Sequence, residues 1–245
     1  MNRMKILNLG SGVKVSSRPE VINIDWSIYL RLRRNPLLRT IMPRFLTGER
    51  LSRFESLPDN IMVHNLAKGL PFDTGSIDVV YHSHLLEHLD RGVARTFLSE
   101  VKRVLKQDGI QRIVVPDLEK ACKAYIAHIA ISDDSPEETG EHDAYVAAII
   151  EQSVRREAYG ASQQTPVRRF LDNVLLGDAR KRGETHQWMY DRVNLSALLT
   201  SLGYNNPIVQ SYNTSMIADW NQYGLDLDEY HNEYKPESMY LEVRK

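Results

Sequence analysis

Short apolar runs alternate with a helical pattern through the first half of this chain, and that alternation constrains its fold more than any other feature. Met4 to Leu9, Val21 to Asp25, Ile61 to His64, Ile77 to His82 and Ile110 to Val115 each read as a short buried strand. Between the last two, Arg91 to Lys106 puts Val93, Phe97, Val101, Val104 and Leu105 at helical spacing, and Gly109 marks the turn that follows. Strands separated by helices predict a parallel sheet with crossover connections. Near the end, Pro207 to Tyr212 and Ser238 to Arg244 predict two more strands, close enough in sequence to pair antiparallel. The linker between them carries Trp220 and an acidic run at Asp226, Asp228 and Glu229.

Two stretches interrupt the pattern. Residues 27–60 are rich in arginine (Arg31, Arg33, Arg34, Arg39, Arg44, Arg50, Arg53) set against Glu49, Glu55 and Asp59. Residues 118–185 read mainly as helix, broken by polar loops at Ser132 to Glu141 and Gln163 to Pro166. At 245 residues the chain suits one α/β domain with these two insertions, or at most two small domains. Its 42% apolar and 26% charged residues can build a core. A net charge of -1 gives no electrostatic argument for nucleic acid, which is disfavoured as a partner. The single cysteine, Cys122, excludes an internal disulfide and a multi-cysteine metal site. With no long apolar run and a strand-like start in place of a signal peptide, the sequence predicts a soluble, cytoplasmic protein.

Chemistry begins at Leu7-Asn8-Leu9-Gly10-Ser11-Gly12, a strand running into a glycine turn. Glycines there let backbone turn tightly and approach a ligand. The second run ends in Asp25, 13 residues beyond Gly12, where an acid can accept both ribose hydroxyls of a nucleoside lying over the loop. A dinucleotide site places that acid roughly 20 residues on and adds a third glycine. The short spacing and missing glycine therefore disfavour NAD, and no Gly-Lys-Ser/Thr follows to make a phosphate-cradling loop.

The longest signal is His64-Asn65-Leu66-Ala67-Lys68-Gly69-Leu70-Pro71-Phe72-Asp73, then Ser76-Ile77-Asp78-Val79-Val80-Tyr81-His82-Ser83-His84-Leu85-Leu86-Glu87-His88-Leu89, closed by Arg103-Val104-Leu105-Lys106-Gln107-Asp108-Gly109. In this combination the chain resembles the class I S-adenosylmethionine-dependent methyltransferases. More narrowly, it is similar to methyltransferases linked to surface-polysaccharide and glycan biosynthesis. Their glycine loop, short first helix, Asn-x-Asp strand and late His-x-Trp-x-Tyr-Asp segment have counterparts here, the last at His186-Gln187-Trp188-Met189-Tyr190-Asp191. The resemblance covers roughly residues 5–117 and 186–245. It implies a Rossmann-like, doubly wound seven-stranded sheet ordered 3-2-1-4-5-7-6 with the last strand antiparallel. The insertions at 27–60 and 118–185 would cover the carboxyl ends of the strands on the acceptor side.

What the resemblance implies for the site runs residue by residue. Gly10, Ser11 and Gly12, with Asn8 behind them, would line the methionine and ribose of the cofactor. Asp25 would bind the ribose and Trp26 would pack near the adenine. Asn65 stands where the family usually has an acid, and its amide oxygen can still accept from the adenine amino group, while the Leu66 N–H donates to the ring. Asn8 also replaces a common acid, so contact with the cofactor's ammonium group is in question. His82, Ser83 and His84 would leave strand four beside the reactive methyl. His84 is the expected base for transfer to an oxygen or nitrogen, with His82, Tyr190 and His186 as competitors.

Other readings compete. A cofactor-binding protein without turnover is motivated by Asn8 and the shortened glycine loop. His84-x-x-Glu87-His88 matches an inverted zinc-hydrolase pattern with both histidines a helical turn apart. No third ligand is marked, so a bound metal is not expected, although a divalent-metal role for Glu87 and His88 within a methyltransferase stays open. The plainer expectation is that Glu87 and His88 hydrogen-bond within the first helical turn after strand four. For the arginine-rich insertion, the plainest reading is a solvated surface. Recognition of an anionic acceptor through Arg31, Arg33 and Arg34 is the next. The third is peripheral membrane contact through Tyr29, Leu30, Leu37, Leu38, Ile41 and Phe45.

Overall fold

The structure is a computed structural model and describes residues 3–134, 142–152 and 186–245. Seven strands form one sheet: β1 Ile6–Leu9, β2 Val21–Asp25, β3 Ile61–Val63, β4 Ile77–Ser83, β5 Leu105–Pro116, β6 Asn205–Gln210 and β7 Ser238–Arg244. Their order is β3-β2-β1-β4-β5-β7-β6, as the resemblance implied. The first five pair in parallel and β7 runs antiparallel to both β5 and β6. This is the Rossmann-like arrangement, with its switch point between β1 and β4. Pro207 sits in β6, an edge strand exposed along most of its length, where a missing N–H costs no ladder bond.

The pleat sorts the core into two faces. Leu7 and Leu9 of β1, Val80 of β4, Ile113 and Val115 of β5 and Leu241 and Val243 of β7 point to one of them. There they meet helix α4, Arg91–Val104, and the C-terminal helix α7, Arg192–Ser201, through Leu195 and Leu199. The buried stripe of α4 is Ala94, Phe97, Leu98, Val101 and Val104. Val93, expected inside, is half exposed, and Leu105 opens β5 instead of closing the helix. The periodic pattern was right in period but one residue out at its start.

On the other face lie Ile6, Val21, Val79, Tyr81, Ile110, Val114 and Tyr240, covered by Ile217, Trp220, Tyr223 and Leu225. The stretch expected to be a linker between the last two strands is therefore a layer of the core. Arg112 of β5 is buried beneath it with no exposed surface. Its Nε donates to Asp226 Oδ2 and its Nη1 to Glu242 Oε1, both at 2.7 Å, and its remaining N–H groups reach the carbonyls of Thr214 and Ser211. Tyr81 Oη and Trp220 Nε1 donate to the same Asp226 carboxylate at 2.7 and 2.6 Å.

The resemblance also implied a short helix after the glycine loop. Residues 10–20 contain none. Two buried amides explain why: Asn8 Nδ2 donates to the Lys14 carbonyl, and Asn23 binds Ser16 through both its N–H and its carbonyl. Those backbone groups are captured by side chains from the strands, so a helical turn has nothing left to close it.

Between β2 and β3, residues 27–60 form three short helices, α1 Ile28–Arg33, α2 Pro36–Ile41 and α3 Glu49–Glu55. Ser27 caps α1, and Asn35 with Pro36 starts α2. Leu30, Leu57 and Ile61 make a small core under them, with Tyr29 and Val63 against it. Of the second insertion, α5 Leu118–Asp134 and α6 His142–Gln152 are helical as expected and pack through His128 on Tyr145, at 4.3 Å between rings. Residues 135–141 and 153–185, with the expected loop at Gln163 to Pro166, lie outside the described residues. Among the described residues no helix is long and apolar enough to cross a membrane.

Candidate functional site

The carboxyl ends of β1, β2, β3 and β4 carry most of the residues singled out by sequence. Gly10 and Gly12 both adopt positive φ, +65° and +53°, which turns the chain sharply at the tip of β1. Asp25 leaves the neighbouring β2 and binds that turn directly: its Oδ2 accepts the Gly12 N–H at 2.8 Å and its Oδ1 the Ser27 N–H at 2.7 Å. The acid thus joins the glycine loop to the start of the arginine-rich insertion. Ser11 is buried, its N–H on the Ile24 carbonyl and its hydroxyl without a partner. Asn8 is turned away into the face below, its amide hydrogens on the Lys14 carbonyl and Asn23 Oδ1. A Cβ added at Gly10 would stand 3.1 Å from Leu85 Cδ1 in a conformation L-residues disfavour. Gly10→Ala should therefore lose about 1–2 kcal/mol of stability, read from urea unfolding.

Around this loop stand the residues assigned to the adenine. Trp26 is 42% exposed and the Arg31 guanidinium lies 4.7 Å over its ring. Asn65 caps the short turn Leu66–Lys68, its amide oxygen accepting the Ala67 N–H at 3.0 Å. Leu66 opens that turn, where an N–H has no partner within the turn itself.

β4 delivers Ser83 and the histidines, and here the structure corrects several expectations. His82 has no exposed surface; Gln111 Nε2 donates to its Nε2 at 3.0 Å and Phe97 packs edge-on. Burial pushes it down to about 3, so it is a neutral core side chain that no acceptor touches. His84 keeps part of its side chain exposed, at φ +49°, with Nε2 2.8 Å from Ser238 Oγ and Nδ1 3.3 Å from Glu87 Oε1. Burial first, then the charges of Lys235, His186 and His88, lower it to about 3, which makes it a weak proton acceptor near neutral pH. Tyr190 is buried and pushed up to about 12 by burial and by the nearby Glu87 carboxylate, so it remains protonated.

Glu87 is the residue the sequence reading undervalued. It stands in a 3-10 turn, Leu86–His88, and not in an α-helix, so His84 and His88 are not stacked one helical turn apart. Its side chain is 1% exposed, and neither carboxylate oxygen has a hydrogen-bond partner. The turn is closed by backbone bonds, the His88 N–H on the Leu85 carbonyl and the Leu89 N–H on that of Leu86. Burial raises Glu87 to about 8, the closest to neutral of the groups in the cluster with a shifted value. Its backbone carbonyl accepts the N–H groups of Gln187 and Trp188, at 2.6 and 3.2 Å, which brings the late motif to the end of β4. The rest of that motif is anchoring: Tyr190 pairs with Asp117, and Asp191 caps α7 through the Val193 and Asn194 N–H groups, both at 2.8 Å. The Arg91 guanidinium covers the Trp188 ring at 4.4 Å.

The arginine-rich insertion is less open than expected. Arg33 is occupied inside it, on Asp59 and the carbonyls of Phe54 and Leu57, and Arg31 lies on Trp26. Arg34 is exposed. Of the apolar residues there, Leu30 and Tyr29 pack inward, whereas Leu37 and Phe45 are exposed.

Residues 44–113 match the family model of the methyltransferase domain. That span holds β3, the Asn65 turn, β4, the Glu87 turn, α4 and much of β5; the glycine loop and Asp25 precede it. Similar solved structures include an S-adenosylmethionine-dependent methyltransferase from Archaeoglobus fulgidus, 13% identical, covering 100% of this chain and 87% of that one at a TM-score of 0.43. One from Methanosarcina mazei is 16% identical, covering 100% and 94% at 0.45. A possible histamine N-methyltransferase from Thermotoga maritima is 13% identical, covering 100% and 84% at 0.45. At such scores they carry no argument, and the fold rests on the strand order. No curated protein matches the chain.

Proposed function

We propose that this chain is an S-adenosylmethionine-dependent methyltransferase acting on an oxygen or nitrogen of a small or glycan-type acceptor. The observation that carries the reading is the glycine loop pinned by Asp25, with the Ser11 hydroxyl buried beside it and lacking a partner. A buried hydroxyl in that state fits a site completed by a polar ligand. The loop departs from the resemblance in lacking the short helix expected after it, and without a helix N-terminus it offers little to a phosphate cofactor. The strand order and the partial family match support the same class.

In this reading Gly10, Ser11 and Gly12 hold the methionine and ribose part, Asp25 the ribose hydroxyls, and Asn65 with the Leu66 N–H the adenine. The cofactor supplies a methyl group already activated on positive sulfur, so the protein's work is alignment and exclusion of water. Ser83 and His84 border the acceptor position at the end of β4. Glu87, buried 3.3 Å from His84 Nδ1 and without a hydrogen bond on its carboxylate, lies next to that position. Insertion 27–60 would contribute to the acceptor side, where Arg34 offers charge for an anionic acceptor and the exposed Leu37 and Phe45 offer apolar surface for peripheral membrane contact.

A cofactor-binding protein without turnover is the second reading, favoured by Asn8, whose amide hydrogens are spent on the Lys14 carbonyl and on Asn23 of β2. Calorimetry with S-adenosylmethionine tests both, and saturable binding is expected. No heat at millimolar cofactor sinks the two together. Acceptor-dependent release of S-adenosylhomocysteine, assayed with labelled methyl on fractions holding sugar nucleotides, lipids or RNA, then separates them. The sugar-nucleotide fraction is expected to label.

A further inference from the structure

We propose that Glu87, His88 and His186 form a binding site for one divalent transition-metal ion beside the acceptor position. One ligand atom from each residue lies within 4.8 Å of the others. Ligand bonds of about 2.0–2.2 Å set neighbouring ligand atoms roughly 3–3.5 Å apart, so the cluster needs to close by about an ångström, which side-chain rotation supplies.

Glu87 makes the case more than proximity does. A buried carboxylate normally sits among donors or beside a cation. Here both oxygens are buried without a hydrogen bond, and among the described residues no lysine or arginine comes within ion-pair distance. Imidazoles surround it instead: His84 Nδ1 at 3.3 Å and His88 Nε2 at 3.9 Å from Oε1, with the His186 ring 4.8 Å from that of His88. Lys235 acts on the carboxylate only from beyond ion-pair distance, and a positive ion among the imidazoles supplies a charge in direct contact with it.

The backbone holds the arrangement in place. Gln187 and Trp188 donate to the Glu87 carbonyl, so the segment bearing His186 is bolted to the turn bearing Glu87 and His88. His84 has its other nitrogen on Ser238 Oγ, which fixes the ring so that Nδ1 faces Glu87; it is a positioning residue, with the hydrogen-bonding pattern of a metal site's outer shell. Two imidazoles and one carboxylate suit zinc, manganese or iron(II) better than magnesium or calcium, which prefer oxygen alone. Three protein ligands leave positions open for an acceptor oxygen, and an ion there lowers the pKa of that oxygen.

Binding of the ion does not depend on the methyltransferase reading, although its use by an acceptor does. The test uses the full, tag-free chain, stripped with chelator and titrated with zinc and with manganese(II), followed by elemental analysis after gel filtration. One equivalent of either metal per chain is expected, and Glu87→Gln and His186→Gln should each weaken it at least tenfold while leaving S-adenosylhomocysteine affinity within twofold. No stoichiometric metal in the wild type, or variants that bind as tightly as it does, overturns the site. If a variant fails to fold, cobalt(II) in the wild type decides. Intense d–d absorption of a low-coordinate, nitrogen-ligated ion is expected, and a spectrum like that of the hydrated ion overturns the proposal. Metal binding without cofactor binding would sink the methyltransferase alone, and the converse would sink the metal site alone.

Discussion

Arg112→Met should lower unfolding stability by about 3–5 kcal/mol, because it leaves two buried carboxylates without their cation. Arg112, Asp226 and Glu242 are essentially unexposed, so water cannot take the place of the guanidinium. Asp226 would keep Tyr81 and Trp220 as donors, and Glu242 the Met216 N–H at 2.7 Å, which moderates the loss without removing it. For a chain of this size the change corresponds to a fall in Tm of roughly 10 °C. Urea unfolding followed by circular dichroism checks it, and a loss below about 1 kcal/mol would show that the interior takes in water or repacks. Replacing Arg112, Asp226 and Glu242 together by apolar residues of similar volume should recover much of the loss, since the cost lies in the unpaired charges. The effect reaches the site as well. The Leu227 carbonyl, next to Asp226, accepts from Lys14, which follows the glycine loop and also lies over the Tyr234 ring at 4.2 Å. Loosening the 211–227 layer therefore frees the back of that loop, and cofactor affinity should fall along with stability.

The second large effect is expected at Asp25. Asp25→Ala should weaken S-adenosylmethionine by about 2–3 kcal/mol, roughly 30- to 150-fold in Kd. Two losses combine: the ribose acceptor disappears, and the Gly12 and Ser27 N–H groups lose the carboxylate that organises the loop. Asp25→Asn sharpens the test. Its single amide oxygen can serve only one of those two N–H groups, and its NH2 then faces the other, donor against donor. Asn is therefore expected to resemble Ala more than Asp. Calorimetry with S-adenosylhomocysteine measures both variants, and unchanged affinity in Asp25→Ala would refute the contact. Retained affinity in Asn alone would mean that Ser27 or Gly12 re-pairs with water.

Much of this was readable because it is local. Runs of β-forming residues, a glycine turn and an acid at a strand tip each declare themselves within a few positions, and those positions lie at the ends of β1 and β2 as expected. The helix after the glycine loop failed for an equally physical reason. Asn8 and Asn23 sit opposite one another in paired strands, and only that pairing lets their amides take the backbone of residues 14–16. Arg112 left a sign that could have been used, a charge inside the apolar run Ile110 to Val115, but the run could not name its partners. His84 and His82 drew attention by residue type, whereas their surroundings make one a positioning group and the other core.

By itself, the sequence determined the elements and the chemistry offered at their ends, since turn geometry and strand propensity act over a few residues. The long-range pairings were decided by tertiary structure, which joins Arg112 to Asp226 and Glu242 and brings Glu87 near His186. These partners are far apart along the chain, and only a sheet covered on both faces excludes water well enough to make their charges matter.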